Sequence, residues 1–201
     1  DASSPQSVLP VPLFCRHAPT LHRQTLRVKK TLIVFARAPR LGQGKRRLAA
    51  GMGSLAAWRF QRWALNRALR RLSRDPRWTC RLATTGGTVK LPRGLQQFPQ
   101  SRGDLGQRMD QAMRGHGPGP VVLVGTDVPD IAPRHIAAAF KALDTHDAVF
   151  GPATDGGYWL VGLRGRPARP DIFSKMRWSS PDTLENSLSR FRSRFSYSLL
   201  E

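Results

Sequence analysis

The chain has no apolar run approaching the ~20 residues that a membrane-spanning helix needs, so an integral membrane protein is not expected. Cysteine is scarce. Cys15 and Cys80 lie far apart, in neither a CxxC pair nor a metal-ligand spacing, which argues against a disulfide framework and against zinc. The opening segment carries a brief apolar patch with no basic stretch ahead of it and prolines within it, so it does not read as a secretory signal. A reducing cytoplasm is the expected setting. No internal repeat is visible, and GxGxxG is missing. The nearest approach to a Walker A loop, GQGKR, has Arg46 where Ser or Thr would bind the metal, which disfavours a P-loop ATPase.

Acid is the scarcest commodity. From Ala2 to Arg74 there is no Asp or Glu, against 16 Lys and Arg, and most carboxylates follow Arg102. The formal net charge is +20 and the sequence pI about 11.7, the usual footprint of a nucleic-acid binder. Against that class, 27 of the 33 basic residues are Arg spread through nearly every segment, without a lysine tail, an RNP-type strand or a serial aromatic platform. Abundant Ala, Gly and Pro favour a compositional origin for the charge. The first third is anion-seeking and the remainder is able to hold cations.

What is present is an alternation of strands and helices. With 201 residues the chain suits one domain. Residues 1–29, rich in Pro and Ser, read as an irregular arm, and residues 30–201 as the folded unit. TLIVFA at 31–36 predicts a buried strand. After Pro39, Gly42 and Gly44 comes one long helical segment in which Ala56, Phe60, Ala64, Ala68 and Leu72 recur at i+4, with Trp63 and Leu65 beside them, until Asp75-Pro76. WTCRLATT at 78–85 predicts a strand, followed by a loop. DLGQRMDQAMRG at 104–115 predicts a helix with Asp104 as N-cap. PVVLVG predicts a buried strand, and PRHIAAAFKAL at 133–143 a helix with Pro in its first turn. DAVFGP and GGYWLVGL read as further strands, and SPDTLENSLSRF as a last helix begun by Ser180 or Pro181. This order implies an α/β fold on a mainly parallel sheet.

In such sheets ligands bind beyond the carboxyl ends of the strands, and VVLVGTDVPD at 121–130 places acid there. A carboxylate beside a core is costly unless paired or solvated. Asp130 suits the cap of the helix at Pro133, whereas Asp127 leaves the strand too early and reads as a ligand of a hard divalent cation, Mg2+ or Mn2+, whose other ligands are water and phosphate oxygens. The phosphates would sit at ARAPRLGQGKRRL, 36–48. There Arg37, the glycines from Gly42 onward and a helix N-terminus favour an anion, and Lys45 and Arg47 add full charges. A solvated basic turn accounts for that loop nearly as well. Asp155-Gly156-Gly157 either links two strands in a tight turn or lets a ligand lie against the backbone. Tyr158 and Trp159 then point to opposite faces, one towards a sugar or acceptor pocket and the other into the core.

Taken together, P-x-x-G-x-x-K-x-R-L at 39–48, QSRGDLGQRM at 100–109, GTDVP at 125–129, DGGYWLVGL at 155–163 and WSS at 178–180 resemble the small bacterial GT-A-like transferases. These are often named selenodomain-associated or arsenosugar-biosynthesis-type glycosyltransferases. The resemblance spans about residues 31–190 and implies a Rossmann-like nucleotide-diphospho-sugar transferase fold. It departs from the family pattern at Arg46, where Thr is usual, and at Val128, where Cys is usual. It implies that Lys45 and Arg47 hold donor phosphates, that Asp127 binds the metal, and that Asp155 is a second metal ligand or a base near the acceptor. Asp104 and Arg108 would contact base or ribose, or else serve as helix cap and surface arginine. Tyr158, Trp178 and Ser179 would face the acceptor, unless Trp178 is a core residue and Ser179 a helix cap. The expected activity is transfer from a nucleotide sugar to a small acceptor. Nucleotidyl transfer from a nucleoside triphosphate is the alternative, and a basic nucleic-acid-binding module the rival outside enzymes.

Overall fold

The structure, a computed structural model, describes residues 28–43, 46–165, 170–174, 176–178, 180–191 and 195–201, with Arg46 and Arg47 described by their backbone alone. The apolar run Thr31–Arg37 forms β1, every residue from Thr31 to Val34 buried. The expected single long helix is broken at Gly53, whose φ of 81° no L residue adopts easily, into α1 (Arg46–Met52) and α2 (Ser54–Leu72). Its packed stripe is Ala57, Ala64, Leu65, Ala68, Leu69 and Leu72. Ala56 and Trp63, which the i+4 reading placed on or beside that stripe, face solvent instead, Trp63 being 49% exposed.

β2 (Thr79–Thr85) runs parallel to β1, and β3 (Gln96–Pro99) adds to its far side in a segment the sequence presents as a loop. α3 (Leu105–Arg114) starts at Asp104, whose side chain accepts the Gln107 N–H at 2.8 Å while Gln107 Oε1 accepts the Asp104 N–H at 3.0 Å, a reciprocal cap. β4 (Val121–Val124) is buried throughout, and α4 (Pro133–Ala142) follows. Asp130 does not cap α4. The N-cap is Ala132, and its N–H is accepted by His135 Nδ1 at 3.3 Å, because the chain turns into the helix two residues after the aspartate.

β5 (Ala148–Pro152) and β6 (Tyr158–Leu163) form a hairpin, and the last helix, α5 (Thr183–Leu188), begins after Asp182 rather than at Ser180 or Pro181. There Ser180–Thr183 closes a turn, with the Thr183 N–H on Ser180 O at 3.1 Å. A 3-10 turn and β7 (Tyr197–Leu199) complete the chain.

The seven strands lie in the order β3-β2-β1-β4-β6-β5-β7. The β3–β2, β2–β1, β1–β4 and β5–β7 pairs are parallel, and β6 runs antiparallel to both β4 and β5. Strand alternation sends Leu32 and Val34 to one face of the sheet, against Leu65, Leu69 and Phe140 of α2 and α4. Ile33 goes to the other face, with Met109 and Met113 of α3 and with Phe191. The result is a three-layer α/β/α unit with a mostly parallel sheet.

Candidate functional site

Parallel β1, β2 and β4 end on the same edge of the sheet, and the reversal of β6 brings its first residues to that edge as well. Gly125, one residue past β4, donates its N–H to Trp159 O at 3.1 Å. A cavity of about 610 Å³ opens over this edge. Its walls come from the strand ends (Phe35, Arg37, Thr85), from α2 (Phe60, Gln61), from α3 (Leu105, Arg108), and from Gly125, Thr126 and Asp127 after β4. Tyr158 and Trp159 close it from β6.

Gln100 organises the polar side. Its amide nitrogen donates to Ala36 O at 2.9 Å and to Ala83 O at 3.0 Å, tying the ends of β1 and β2 together. Its carbonyl accepts from Arg108 Nη1 at 3.1 Å, and Arg108 Nε reaches Asp104 O at 3.3 Å. The guanidinium is therefore held in a set direction at the cavity wall, a charge whose ordering is complete before any ligand arrives. Asp127 is the carboxylate among the lining residues, which also include Arg37 and Arg108. Burial pushes the Tyr158 hydroxyl up to about 12, with the nearby Ser187 working the other way. It stays protonated near neutrality, and its oxygen is shut off from solvent.

Of the residues singled out in the sequence, Arg37, Arg108, Asp127 and Tyr158 meet in this cavity. Gly42 lies on the loop after β1 with a φ of 75°, and Asp104 serves the α3 cap; neither is among the lining residues. Asp155 sits in the β5–β6 turn, where its Oδ1 accepts the Gly157 N–H at 3.1 Å, and it too is outside the lining. Trp178 stacks on Phe173 at 6.4 Å between ring centroids and presses on Gly106, where any Cβ would collide with the indole. It packs against the α3 side of the core. Lys45, Ser179 and the Arg47 side chain fall outside the described residues.

Gln100, Thr85, Phe60 and Gln61 were not singled out as site residues. QSRGDLGQRM contains Gln100, but its two strand-end acceptors lie 64 and 17 residues away in sequence and leave no local signal. Tyr158 and Trp159 do pack into opposite core layers, yet both also border the cavity.

Residues 64–180 match a protein family described as "Uncharacterized protein conserved in bacteria (DUF2064)". Among solved structures, a provisionally named nucleotide-diphospho-sugar transferase from Desulfovibrio desulfuricans G20 is 28% identical. The match covers 86% of this chain and 80% of that one, at a TM-score of 0.77. A cytidylyltransferase from Leptospira borgpetersenii is 15% identical over 86% of this chain and 76% of its own, with a TM-score of 0.54. The 4-diphosphocytidyl-2C-methyl-D-erythritol synthase of Anaerococcus prevotii is 10% identical over 87% and 89%, with a TM-score of 0.53. At those two identities the likeness shows the fold alone. No curated protein matches the sequence. The GT-A-like, nucleotide-diphospho-sugar transferase fold implied by the motifs is thus the fold the chain has.

Proposed function

Because the chain belongs to the bacterial DUF2064 family, whose description assigns no activity, we propose its function from the cavity: it is a transferase that takes a nucleotide-activated donor, foremost a nucleotide sugar. The observation that carries this reading is the cavity at the carboxyl ends of β1, β2 and β4, whose lining includes Arg37, Arg108 and Asp127. Its size suits the ~300–1,000 Å³ typical of small-ligand sites, and its walls, which mix aromatic with polar and charged side chains, suit a base, a sugar and a phosphate. The likeness to the Desulfovibrio protein supports the sugar-donor form.

In this assignment Arg108, held by Gln100, and Arg37 carry the donor's phosphate charge as it grows on the leaving diphosphate. The Tyr158 ring borders the sugar and acceptor space, while its hydroxyl is buried in the core and is not offered to them. Transfer breaks the bond between the sugar carbon and the diphosphate oxygen and forms one to the acceptor oxygen, whose proton passes to solvent as the diphosphate departs with the bonding pair. No group of three or more His, Cys, Asp and Glu gathers among the described residues. A single carboxylate at the edge of a phosphate cavity nonetheless fits Mg2+ or Mn2+, which complete their shells with water and phosphate oxygens. Asp127 would hold that ion, which when bound supplies charge neutralisation at the diphosphate. Asp155, engaged by the Gly157 N–H, is assigned to the turn. Lys45 and Arg47 remain the proposed phosphate ligands from the loop after β1. A small-molecule acceptor would enter beside the Tyr158 ring.

The test is a thermal-shift panel of nucleotide sugars and nucleoside di- and triphosphates, with and without Mn2+. A nucleotide sugar should raise the melting temperature, more so with Mn2+, and Asp127→Asn should lose the Mn2+-dependent increment while Asp155→Asn keeps it. Release of a nucleoside diphosphate in turnover identifies glycosyl transfer, whereas pyrophosphate from a triphosphate identifies nucleotidyl transfer. If no nucleotide shifts the melt, the reading fails.

A further inference from the structure

The helix that walls the cavity has a second face that is exposed among the described residues. Phe60, Gln61, Ala64 and Leu65 of α2 line the cavity. At 3.6 residues per turn the far side of the helix carries Leu55, Arg59, Trp63 and Arg70, with Arg62 and Arg67 at its two edges, and all six are exposed. Leu55 is 48% and Trp63 49% exposed. Leu41 and Met52, exposed at 59% and 48%, come just before the helix, so four of the seven large apolar side chains left open to solvent among the described residues fall between residues 41 and 63.

We propose that this face of α2 docks on an anionic lipid bilayer, with Leu55 and Trp63 entering at headgroup depth and Arg59, Arg62, Arg67 and Arg70 against the lipid phosphates. Charge complementarity selects the occupant. The four arginines sit three or five residues from their neighbours and repel one another, and no carboxylate occurs anywhere from Ala2 to Arg74 to answer them. A surface of fixed negative charge supplies that answer, and leucine, methionine and tryptophan among arginines are the composition of helices that lie in a membrane interface.

A single-stranded nucleic acid has the charge but fits the rest poorly. Bases need open aromatic faces. The Arg62 guanidinium lies 4.7 Å from the Trp58 ring centre and that of Arg67 lies 5.4 Å from the ring centre of Trp63, which also packs against Phe60 at 5.8 Å. Leu41, Met52 and Leu55 offer a base nothing to stack on. None of Leu55, Arg59, Arg62, Trp63, Arg67 and Arg70 lines the cavity, so the inference stands whether or not the transferase assignment does.

The test is flotation of the full chain with phosphatidylcholine vesicles, with and without phosphatidylglycerol. Binding is expected only with phosphatidylglycerol, and should weaken at least tenfold in Arg59→Gln/Arg67→Gln and in Leu55→Gln/Trp63→Gln. Arg93→Gln/Arg164→Gln, which removes the same charge from exposed positions elsewhere, should stay within twofold of the parent. Brominated lipid should quench the tryptophan emission of the parent, and Trp63→Phe, a gentler change, should lose most of that quenching. The proposal is overturned if the Arg93/Arg164 pair weakens binding as much as the α2 pair, since net charge alone then acts. It is equally overturned if vesicles do not bind while single-stranded RNA binds in an α2-dependent way.

Discussion

Gly156 shows how much the β5–β6 turn depends on a single backbone. Its φ is 81°, its N–H reaches Ala153 O at 3.1 Å, and its carbonyl accepts the Leu184 N–H at 3.0 Å, joining the hairpin to the start of α5. A Cβ there would run into Pro181 O. Gly156→Ala therefore meets both an unfavourable dihedral and a backbone collision, and should lower stability by about 2–3 kcal/mol in urea unfolding. Gln100 is the other residue on which a region depends. Gln100→Leu removes the links to Ala36 O and Ala83 O together with the acceptor for Arg108, and should cost about 1–3 kcal/mol. Gln100→Glu keeps an acceptor for Arg108 but offers the two carbonyls no donor. It should be as unstable as the Leu variant, yet retain the nucleotide-induced rise in melting temperature that the Leu variant loses. Equal nucleotide responses in the two variants would mean that Arg108 does not need Gln100.

Among the elements, α4 carries a pH response. His135 Nδ1 accepts the Ala132 N–H, so its proton resides on Nε2 and the ring must be neutral to cap the helix. Burial lowers its pKa, with the nearby Arg134 and Arg71 acting in the same direction. A histidine depressed in the folded state binds fewer protons there than in the unfolded chain, so stability is full above the ordinary value of about 6.5 and declines as pH falls through the interval below it. Melting temperatures taken between about pH 7.5 and 5 should show that decline. It should flatten in His135→Asn, whose carbonyl can accept the same N–H without titrating. The elements also differ in how far the sequence announces them. β1 and β4 are legible because both their faces are buried, so TLIV and VVLV are unbroken apolar runs. β3, with burial limited to Gln97 and Phe98 at half depth and ending in proline, has neither run nor alternation, and β7 is three residues on an edge. The reversal of β6 is set by the short turn after β5, and Trp159 reaches the cavity only because of it. Asp127 and Arg37 could be read from strand ends alone. Phe60 and Gln61 could not, since on α2 they lie at the border of a stripe whose partner surface is fixed by tertiary packing.

For the whole molecule the controlling quantity is a formal charge of +20 carried by 33 basic and 13 acidic residues. Two effects of salt then compete. Screening weakens the ion pairs Lys30–Asp144, Arg77–Asp75 and Arg114–Asp110, but these are surface pairs between partly exposed side chains, a class that contributes little. Screening also relieves the mutual repulsion of the arginines, which acts across the entire surface when the Debye length is about 30 Å at 0.01 M salt and fades as it shortens to about 8 Å at 0.15 M. The second effect should win. The melting temperature is expected to rise by several degrees over that range of NaCl and then level off, with sulfate acting at lower concentration than chloride. A flat or falling curve would mean that local pairing outweighs the overall charge. Binding of α2 to anionic vesicles should run the opposite way, weakening as the same salt is added. Salt that firms the fold while releasing the bilayer separates a loss of docking from a loss of structure without any substitution in the chain.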